Sequence, residues 1–296
     1  MKTLLAALCM VALPAHAALN VLACEPEWAA LVKEIGVDKV SVTSATTALQ
    51  DPHRIEARPS MIARARNADL MVCTGAQLEI GWAPLLQSQS GNGKIQTGQP
   101  GYFEAASVVS LLEKPTSVDR AQGDVHPAGN PHLHLNPHNV ERVASALIDR
   151  MSTIDAREAQ NYRSRGEAFL KRWREATARW EKEGAPLKGM GVVVYHKNLT
   201  YLFAWLGMKE VGTLEPKPGL PPATAHLTAL LEHLQREPAK AVVRAAYNEP
   251  RAAEWLAERA HIPVVVLPFT VGGTEQAKDL FTLYDDSLAR LLALQK

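Results

Sequence analysis

Residues 191–214, GVVVYHKNLTYLFAWLGMKEVGTL, set the fold class of this chain. The segment opens with an apolar run, Gly191–Tyr195, continues with helix-forming residues at Leu199–Leu206, and closes on a second apolar run, Glu210–Leu214. Short apolar runs are typical of buried strands, and a strand, a helix and a further strand in succession are typical of a parallel pair. This stretch therefore predicts a βαβ unit, with His196 directly after its first strand.

The same alternation continues on both sides of this unit. Toward the C-terminus, predicted strands at Ala241–Ala245 and Pro263–Leu267 alternate with predicted helices at Pro222–Arg236, Pro250–Ala260 and Thr274–Leu294. In the first half, the predicted strands are Val21–Cys24, Val40–Thr43, Leu70–Cys73 and a weaker one at Ser107–Val109, and the predicted helices are Glu27–Ile35, Pro59–Asn67 and Leu78–Gln87. Strands that alternate with helices indicate mostly parallel sheets. We predict an α/β protein of two lobes, each with a four-stranded sheet flanked by helices.

A long charged segment, residues 155–183, lies between the two halves. It carries Phe169, Trp173, Ala176 and Trp180 at spacings of three and four, which is the pattern of an amphipathic helix. About 28 residues in a helix would span about 42 Å. We predict a rigid helix that joins the lobes, with an N-terminal lobe at 18–154, the connecting helix at 155–187 and a C-terminal lobe at 188–296. Open parallel sheets bind ligands beyond the carboxyl ends of their strands, so the site is expected in the cleft between the lobes.

The first 17 residues have the pattern of a secretory signal peptide. Lys2 supplies a positive charge, residues 4–14 are apolar, and Ala15-His16-Ala17 fits a cleavage site. The apolar part is too short for a membrane span, which needs about 20 residues. Cleavage would leave a soluble protein outside the cytoplasm. The full sequence has 32 basic and 31 acidic residues and a formal charge of +1, which offers no field to attract nucleic acid or a membrane surface.

Two cysteines remain after cleavage, Cys24 and Cys73, each at the end of a predicted strand. An oxidising compartment permits a disulfide between them, and neighbouring parallel strands would bring them within bridging distance. Two buried free thiols are the alternative.

Histidines cluster after the predicted strands. His53 lies in Asp51-Pro52-His53 after the second strand, and His196 follows the strand at 191–195. The loop 123–138, GDVHPAGNPHLHLNPH, holds His126, His132, His134 and His138. Neutral imidazole suits zinc, whereas Mg²⁺ and Ca²⁺ prefer oxygen ligands. These positions predict a metal site that is assembled only in the folded protein, since the sequence has no His-Glu-x-x-His or Cys-x-x-Cys motif.

Three segments resemble the ligand motifs of the zinc and manganese substrate-binding proteins of ABC transporters. They are DPHRIEARPS at 51–60, NPHLHLNP at 130–137 and YHKNLTYL at 195–202. Residues 68–82, ADLMVCTGAQLEIGW, and the long helix are similar to that family as well, so the resemblance spans essentially the whole mature chain. It implies a monomeric periplasmic carrier, not an enzyme, that captures Zn²⁺ and delivers it to a membrane ABC permease without inserting into the membrane itself.

By the same resemblance, His53 and His132 from the first lobe and His196 from the second hold the metal. Family members with His at the third place are usually zinc proteins, and manganese members often carry Glu there. Three imidazoles independently favour Zn²⁺ over the oxygen-preferring Mn²⁺, although Cu²⁺ and Ni²⁺ also fit such a ligand set.

The chain departs from the family pattern at the fourth ligand. That ligand is usually an Asp directly before a Pro after the last strand, and this chain has Leu267-Pro268 there. A hydrocarbon side chain cannot coordinate a metal, so a water molecule or Glu249 is predicted in the fourth position, with Glu215 and His134 as further candidates. The remaining loop histidines, His126, His134 and His138, either collect zinc at weaker sites or are polar loop residues.

Three histidines with an open water position are also typical of catalytic zinc. A secreted zinc hydrolase with Glu249 or Glu56 as its base is therefore an alternative function, and a zinc-binding adhesin is another. No sequence motif supplies the base and there are no adhesive repeats, so we favour the carrier.

Overall fold

The computed structural model describes residues 18–116, 123 and 125–295. The predicted signal peptide, residues 1–17, lies outside these ranges. None of the helices described is long and apolar enough to cross a membrane.

Two parallel four-stranded sheets form the centres of the two lobes. The first contains β1 (Leu19–Ala23), β2 (Val40–Ser44), β3 (Leu70–Cys73) and β4 (Tyr102–Glu104). The second contains β5 (Gly191–Val194), β6 (Lys209–Thr213), β7 (Val242–Ala245) and β8 (Val264–Leu267). The strand orders are β2-β1-β3-β4 and β6-β5-β7-β8, so the two lobes repeat one topology. The predicted α/β fold with two four-stranded parallel sheets is confirmed.

Helices flank both sheets. They are α1 (Pro26–Gly36), α2 (Pro59–Asn67), α3 (Ala83–Ser90), α4 (Pro137–Ile154), α5 (Ala159–Gly184), α6 (Thr200–Leu206), α7 (Thr224–Leu234), α8 (Pro250–Ala260) and α9 (Leu280–Leu292). Five of them, α1, α2, α3, α4 and α8, carry a Pro in the first two positions, where its fixed φ suits a helix start.

The weak strand predicted at Ser107–Val109 is wrong. The fourth strand lies earlier, at Tyr102–Glu104, and pairs with β3. Ser107 belongs instead to a short 3-10 turn, in which its hydroxyl donates to the Glu104 carbonyl at 2.6 Å. Such a local hydrogen bond favours a turn over an extended strand.

Two predicted helices begin later than expected. The prediction placed a helix start at Leu78, but Gly75, Ala76 and Gln77 all have positive φ, and α3 begins only at Ala83. The last helix was predicted from Thr274, but it begins at Leu280 because Asp279 and Thr282 form a capping box there.

Helix α4 was not predicted, although its apolar residues carried the signal. Val140, Val143, Leu147, Ile148 and Met151 are buried along one face at helical spacing. Asn136 caps the helix by accepting from the backbone N–H of His138 at 2.9 Å.

Helix α5 confirms the long helix expected between the halves, and it contacts both lobes. On the first lobe, Arg172 pairs with Glu34 of α1 at 2.6 Å. On the second, Trp180 stacks on Tyr284 of α9 with ring centroids 4.8 Å apart. One buried apolar cluster runs from the first sheet through α4 and α5 to the second sheet and α9. The two lobes therefore share a continuous core.

Cys24 and Cys73 form a disulfide, so the bridge is present and the thiols are not free. Cys24 directly follows β1 and Cys73 ends β3, and these strands are neighbours in the sheet. Their Cα atoms lie 4.8 Å apart, within the usual range for a disulfide.

Candidate metal site

Three histidines from separate segments converge in the cleft between the lobes. His53 lies in the loop after β2, His132 just before α4, and His196 after β5. One ring nitrogen from each histidine lies within 4.8 Å of the corresponding nitrogens of the other two. The rings of His53 and His196, which belong to different lobes, have centroids 5.6 Å apart. The fold thus brings together the three residues singled out in the sequence.

The Asx-Pro-His sequences at 51–53 and 130–132 form the same local structure. Asp51 Oδ1 accepts from the backbone N–H of His53 at 3.0 Å and lies 2.8 Å from its Nδ1. Asn130 Oδ1 makes the same two contacts with His132, at 3.0 and 2.8 Å. An Asx side chain commonly binds the backbone two residues on, and here it also fixes the ring. With Nδ1–H held by an acceptor, Nε2 is left as the ligand atom.

His196 is oriented by a carboxylate from a neighbouring strand end. Its Nδ1 lies 2.7 Å from Glu215 Oε2, and Glu215 follows β6, which pairs with β5. The same oxygen accepts from the backbone N–H of Gly219 at 2.9 Å. A carboxylate on Nδ1 fixes the tautomer and makes the imidazole a better donor through Nε2.

His132 is the most buried of the three and has an unpartnered ligand atom. Among the described residues nothing hydrogen-bonds its Nε2. Burial, followed by the neighbouring charges of His53 and His196, holds the pKa of His132 well below its ordinary value. The ring is therefore neutral near pH 7, and a buried nitrogen lone pair with no partner is an unusual feature that a bound cation would explain.

A fourth histidine, His126, also reaches this cleft. Its Nε2 lies 3.2 Å from Nε2 of His53, and the two ring centroids are 5.2 Å apart. Burial, and then the charges of His53 and His196, lower the pKa of His126 to about 4, against a backbone hydrogen bond with Ala76 that raises it. The sequence left its role open, because the path of a loop rich in Gly and Pro cannot be derived from residue spacing.

Glu249, Glu215 and His134, each predicted as a possible fourth ligand, differ in their availability. Glu249 is exposed and lines a cavity of about 200 Å³ together with His53, His196 and Glu215. Glu215 already holds His196. His134 is buried, with Nε2 2.8 Å from the Phe269 carbonyl oxygen, while its Nδ1 lies 3.2 Å from Glu27 Oε1 without forming a hydrogen bond among the described residues.

The remaining loop histidine points away from the cleft. His138 is exposed at the start of α4, and its Nε2 lies 2.8 Å from Glu181 Oε1 on α5.

Leu267, at the place where the family carries its Asp, is fully buried in the continuous core. The residues after it contact the first lobe. Phe269 lies edge-on to His132 with centroids 5.6 Å apart, and the Thr270 hydroxyl donates to the buried carboxylate of Glu27 on α1. This segment, residues 267–273, forms one wall of the site and joins the two lobes; we call it the β8 loop.

A second group of ligand-type side chains, Cys24, Cys73 and Glu79, cannot bind a metal in the same way, because the two sulfurs are joined. Glu79 accepts from the backbone N–H groups of Thr74 at 2.7 Å and Gly75 at 3.1 Å. Burial raises the pKa of Glu79 to about 7, and burial next to Glu79 raises the pKa of Glu25 well above its ordinary value. These two carboxyl groups form a buried pair that retains a proton near neutral pH.

Comparison with known proteins gives one consistent family. The family model described as "ZnuA: Zinc-uptake complex component A periplasmic" matches residues 21–293. The high-affinity zinc uptake system protein ZnuA of Yersinia pestis is 26% identical over 207 residues, which is 62% of this chain and 62% of that protein. The manganese ABC transporter substrate-binding lipoprotein PsaA of Streptococcus mitis is 22% identical over 273 residues, 90% of this chain and 85% of the relative.

Solved structures show the same fold. A crystal structure of ZnuA matches with a TM-score of 0.78 at 19% identity, covering 94% of this chain and 100% of that one. The Mn-bound periplasmic metal binding protein from candidatus liberibacter asiaticus matches with a TM-score of 0.75 at 17% identity, covering 93% and 99%. At these identities the likeness concerns the fold alone.

Proposed function

Since the chain belongs to the ZnuA family of periplasmic zinc-uptake components, we propose that it captures Zn²⁺ in the periplasm and delivers the ion to a membrane permease. The family consists of substrate-binding proteins of ABC transporters, so the chain is a metal-binding transport component and not an enzyme. The identity of the metal, its ligands and the monomeric state are our proposals.

The ligand set supports zinc. His53, His132 and His196 each have Nδ1 held by an oxygen acceptor, which leaves three Nε2 atoms directed into one cleft. Manganese prefers carboxylate and carbonyl oxygens, whereas neutral imidazoles suit zinc. This convergence of three oriented imidazoles is the observation that carries the proposal. Because one chain supplies all three, we also propose that the protein works as a monomer.

The family match gives no support to a hydrolytic role, whose candidate base, Glu249, lines the cavity beside His53 and His196. A zinc hydrolase needs a free general base beside the metal-bound water. The two carboxylates in contact with the histidines, Asp51 and Glu215, are already acceptors for Nδ1. Both therefore orient ligands, which is what a binding protein requires.

A competitive titration tests the proposed function. Metal-stripped mature protein is titrated with Zn²⁺ and with Mn²⁺ against a chromophoric chelator, and elemental analysis gives the stoichiometry. We expect one tightly bound zinc per chain, weaker manganese binding, and at least a tenfold loss of zinc affinity in His196→Ala. His233→Ala on α7, outside the cleft, is the control. Tight binding that survives replacement of His53, His132 and His196 together would refute the site.

A further inference from the structure

Zinc bound by His53, His132 and His196 alone would lack one ligand of a tetrahedron, the usual geometry of zinc in proteins. The position where the family carries its carboxylate cannot fill this place, since Leu267 is apolar and has no exposed surface. Glu215 and His134 make other contacts. A water molecule, Glu249 and His126 remain as candidates.

The distance between the Nε2 atoms of His126 and His53 matches the distance expected between two zinc ligands. Two nitrogens that bind the same tetrahedral zinc at 2.0–2.1 Å are separated by about 3.3 Å. The Nε2 atoms of His126 and His53 are 3.2 Å apart. Without a metal this is a hydrogen-bond distance, and it is also the separation that two nitrogens bound to one tetrahedral zinc would have.

Three of the four histidine rings line one cavity in the cleft. His126, His132 and His196 line one cavity of about 280 Å³, bordered by Asn130 and Lys197. The His126 and His132 ring centroids lie 6.5 Å apart, farther than those of His53 and His132 at 5.2 Å. His126 therefore contacts the trio through His53, and its ring would have to move toward His132 and His196 to reach an ion held by the other three.

The loop after β3 also lies next to the ring of His126. The ring's neighbour is the backbone of Ala76, the second of three consecutive residues with positive φ, which acts to raise the His126 pKa. Ala76 and Gln77 are not glycines, so this backbone conformation is strained, and strain of this kind is found mainly where function requires a fixed geometry.

From these contacts we infer that His126 is the fourth zinc ligand, so that the ion is bound by four imidazoles, three from the first lobe and its loop and one from the second. This inference rests on the proposed zinc-binding function. The loop 123–138 supplies two ligands, His126 and His132, and takes over the role that the β8 loop has in the family pattern.

Cobalt substitution with an external ligand tests the inference. Metal-stripped protein is loaded with Co²⁺, and visible spectra are recorded with and without added imidazole. Four protein ligands leave no open position, so the parent spectrum should not change with imidazole. His126→Ala should have an open position, so imidazole should change its spectrum toward that of the parent. His138→Ala, from the same loop but exposed and outside the cleft, should behave as the parent.

Zinc affinity provides the second measurement. We expect a loss of about tenfold or more in His126→Ala and in His126→Gln, no loss in His138→Ala, and unchanged urea unfolding of all three metal-free variants. Parental zinc affinity in His126→Ala would overturn the inference: a parent Co²⁺ spectrum that imidazole alters would then identify water as the fourth ligand, and an unaltered one Glu249. That result would leave the proposed function intact as long as His196→Ala still loses zinc, so the two failures are distinguishable.

Discussion

At the scale of single residues, each of the three histidines has an oxygen acceptor on its Nδ1. Asp51 and Asn130 act on the histidine two residues later, so they could be read from the Asx-Pro-His motifs once the role of the Asx oxygen is known. Glu215 is 19 residues from His196, and only the pairing of β5 with β6 brings it there. The carboxylate that the sequence offered as a possible ligand is therefore an orienting residue.

Removing the acceptor on His196 should weaken zinc binding without removing a ligand. We expect Glu215→Leu to lower zinc affinity roughly 10–100-fold, as is typical when a partner of a metal-bound histidine is lost. Glu215→Gln keeps an oxygen acceptor and should lose less. Competitive titration of both variants measures the difference, and equal losses would show that charge rather than orientation is the contribution of Glu215.

Glu79 should make the stability of the metal-free protein depend on pH. Its pKa is about 7 in the folded protein and near 4.5 in the unfolded chain, so between these values the folded state binds more protons. The unfolding free energy contributed by Glu79 is therefore highest below about pH 4.5 and falls as the pH rises toward 7.

The variant Glu79→Gln cannot titrate at this position. Relative to the parent, its unfolding free energy should rise between pH 4.5 and 7, by at most about 3 kcal/mol. Urea unfolding of both metal-free proteins across this range provides the measurement, with the exposed Glu167→Gln as the control for loss of one charge. A difference that is constant with pH would contradict the raised pKa.

At the scale of elements, the β8 loop makes structural contacts between the two lobes. The Thr270 hydroxyl donates to Glu27 of α1, and the Phe269 carbonyl lies 2.8 Å from Nε2 of His134. Both contacts are buried, so they join the two lobes within the core.

Loss of the Thr270 hydroxyl should destabilise the protein. Thr270→Val keeps the shape of the side chain but leaves the buried Glu27 carboxylate without this donor, and we expect a loss of about 1–3 kcal/mol in unfolding free energy. Thr270→Ser keeps the hydroxyl and should lose less. Urea unfolding of the metal-free variants is the measurement, and identical behaviour of Val and Ser would mean that the hydrogen bond contributes nothing.

Elements with a strong periodic pattern were predictable from the sequence, and those set by loop geometry were not. α2 and α8 were predicted at their observed bounds because Pro59 and Pro250 mark their starts. α3 was misplaced because its start depends on three positive-φ residues, two of which are not Gly. His126 escaped assignment for a related reason, since its position depends on the path of a loop and on the support of Ala76.

At the scale of the whole molecule, the continuous core limits how far the lobes can move. Trp173 and Trp180 of α5 pack against Tyr284 of α9, while α5 also pairs with α1 through Arg172. A wide opening of the cleft would expose this aromatic core to water, at a cost of about 25 cal/mol for each Å². The lobe boundaries at 155 and 188 remain predictions.

Zinc binding should consequently order loops rather than close lobes. We expect hydrogen exchange to slow on zinc addition at residues 45–58 and 125–136, with little change in α5. Small-angle scattering of the metal-free and zinc-loaded protein should give the same radius of gyration within error. A clear decrease in that radius, or new protection along α5, would contradict a rigid connection.

The packing of α5 against both lobes also affects how a permease would distinguish the metal-free protein from the zinc-loaded one. If the overall shape of the protein is the same with and without zinc, the permease cannot distinguish the two states by shape. The two states would then differ only locally, in the rigidity and charge of the few loops that surround the ion. We therefore expect a permease to distinguish the loaded protein by the order and charge of the loops around the ion.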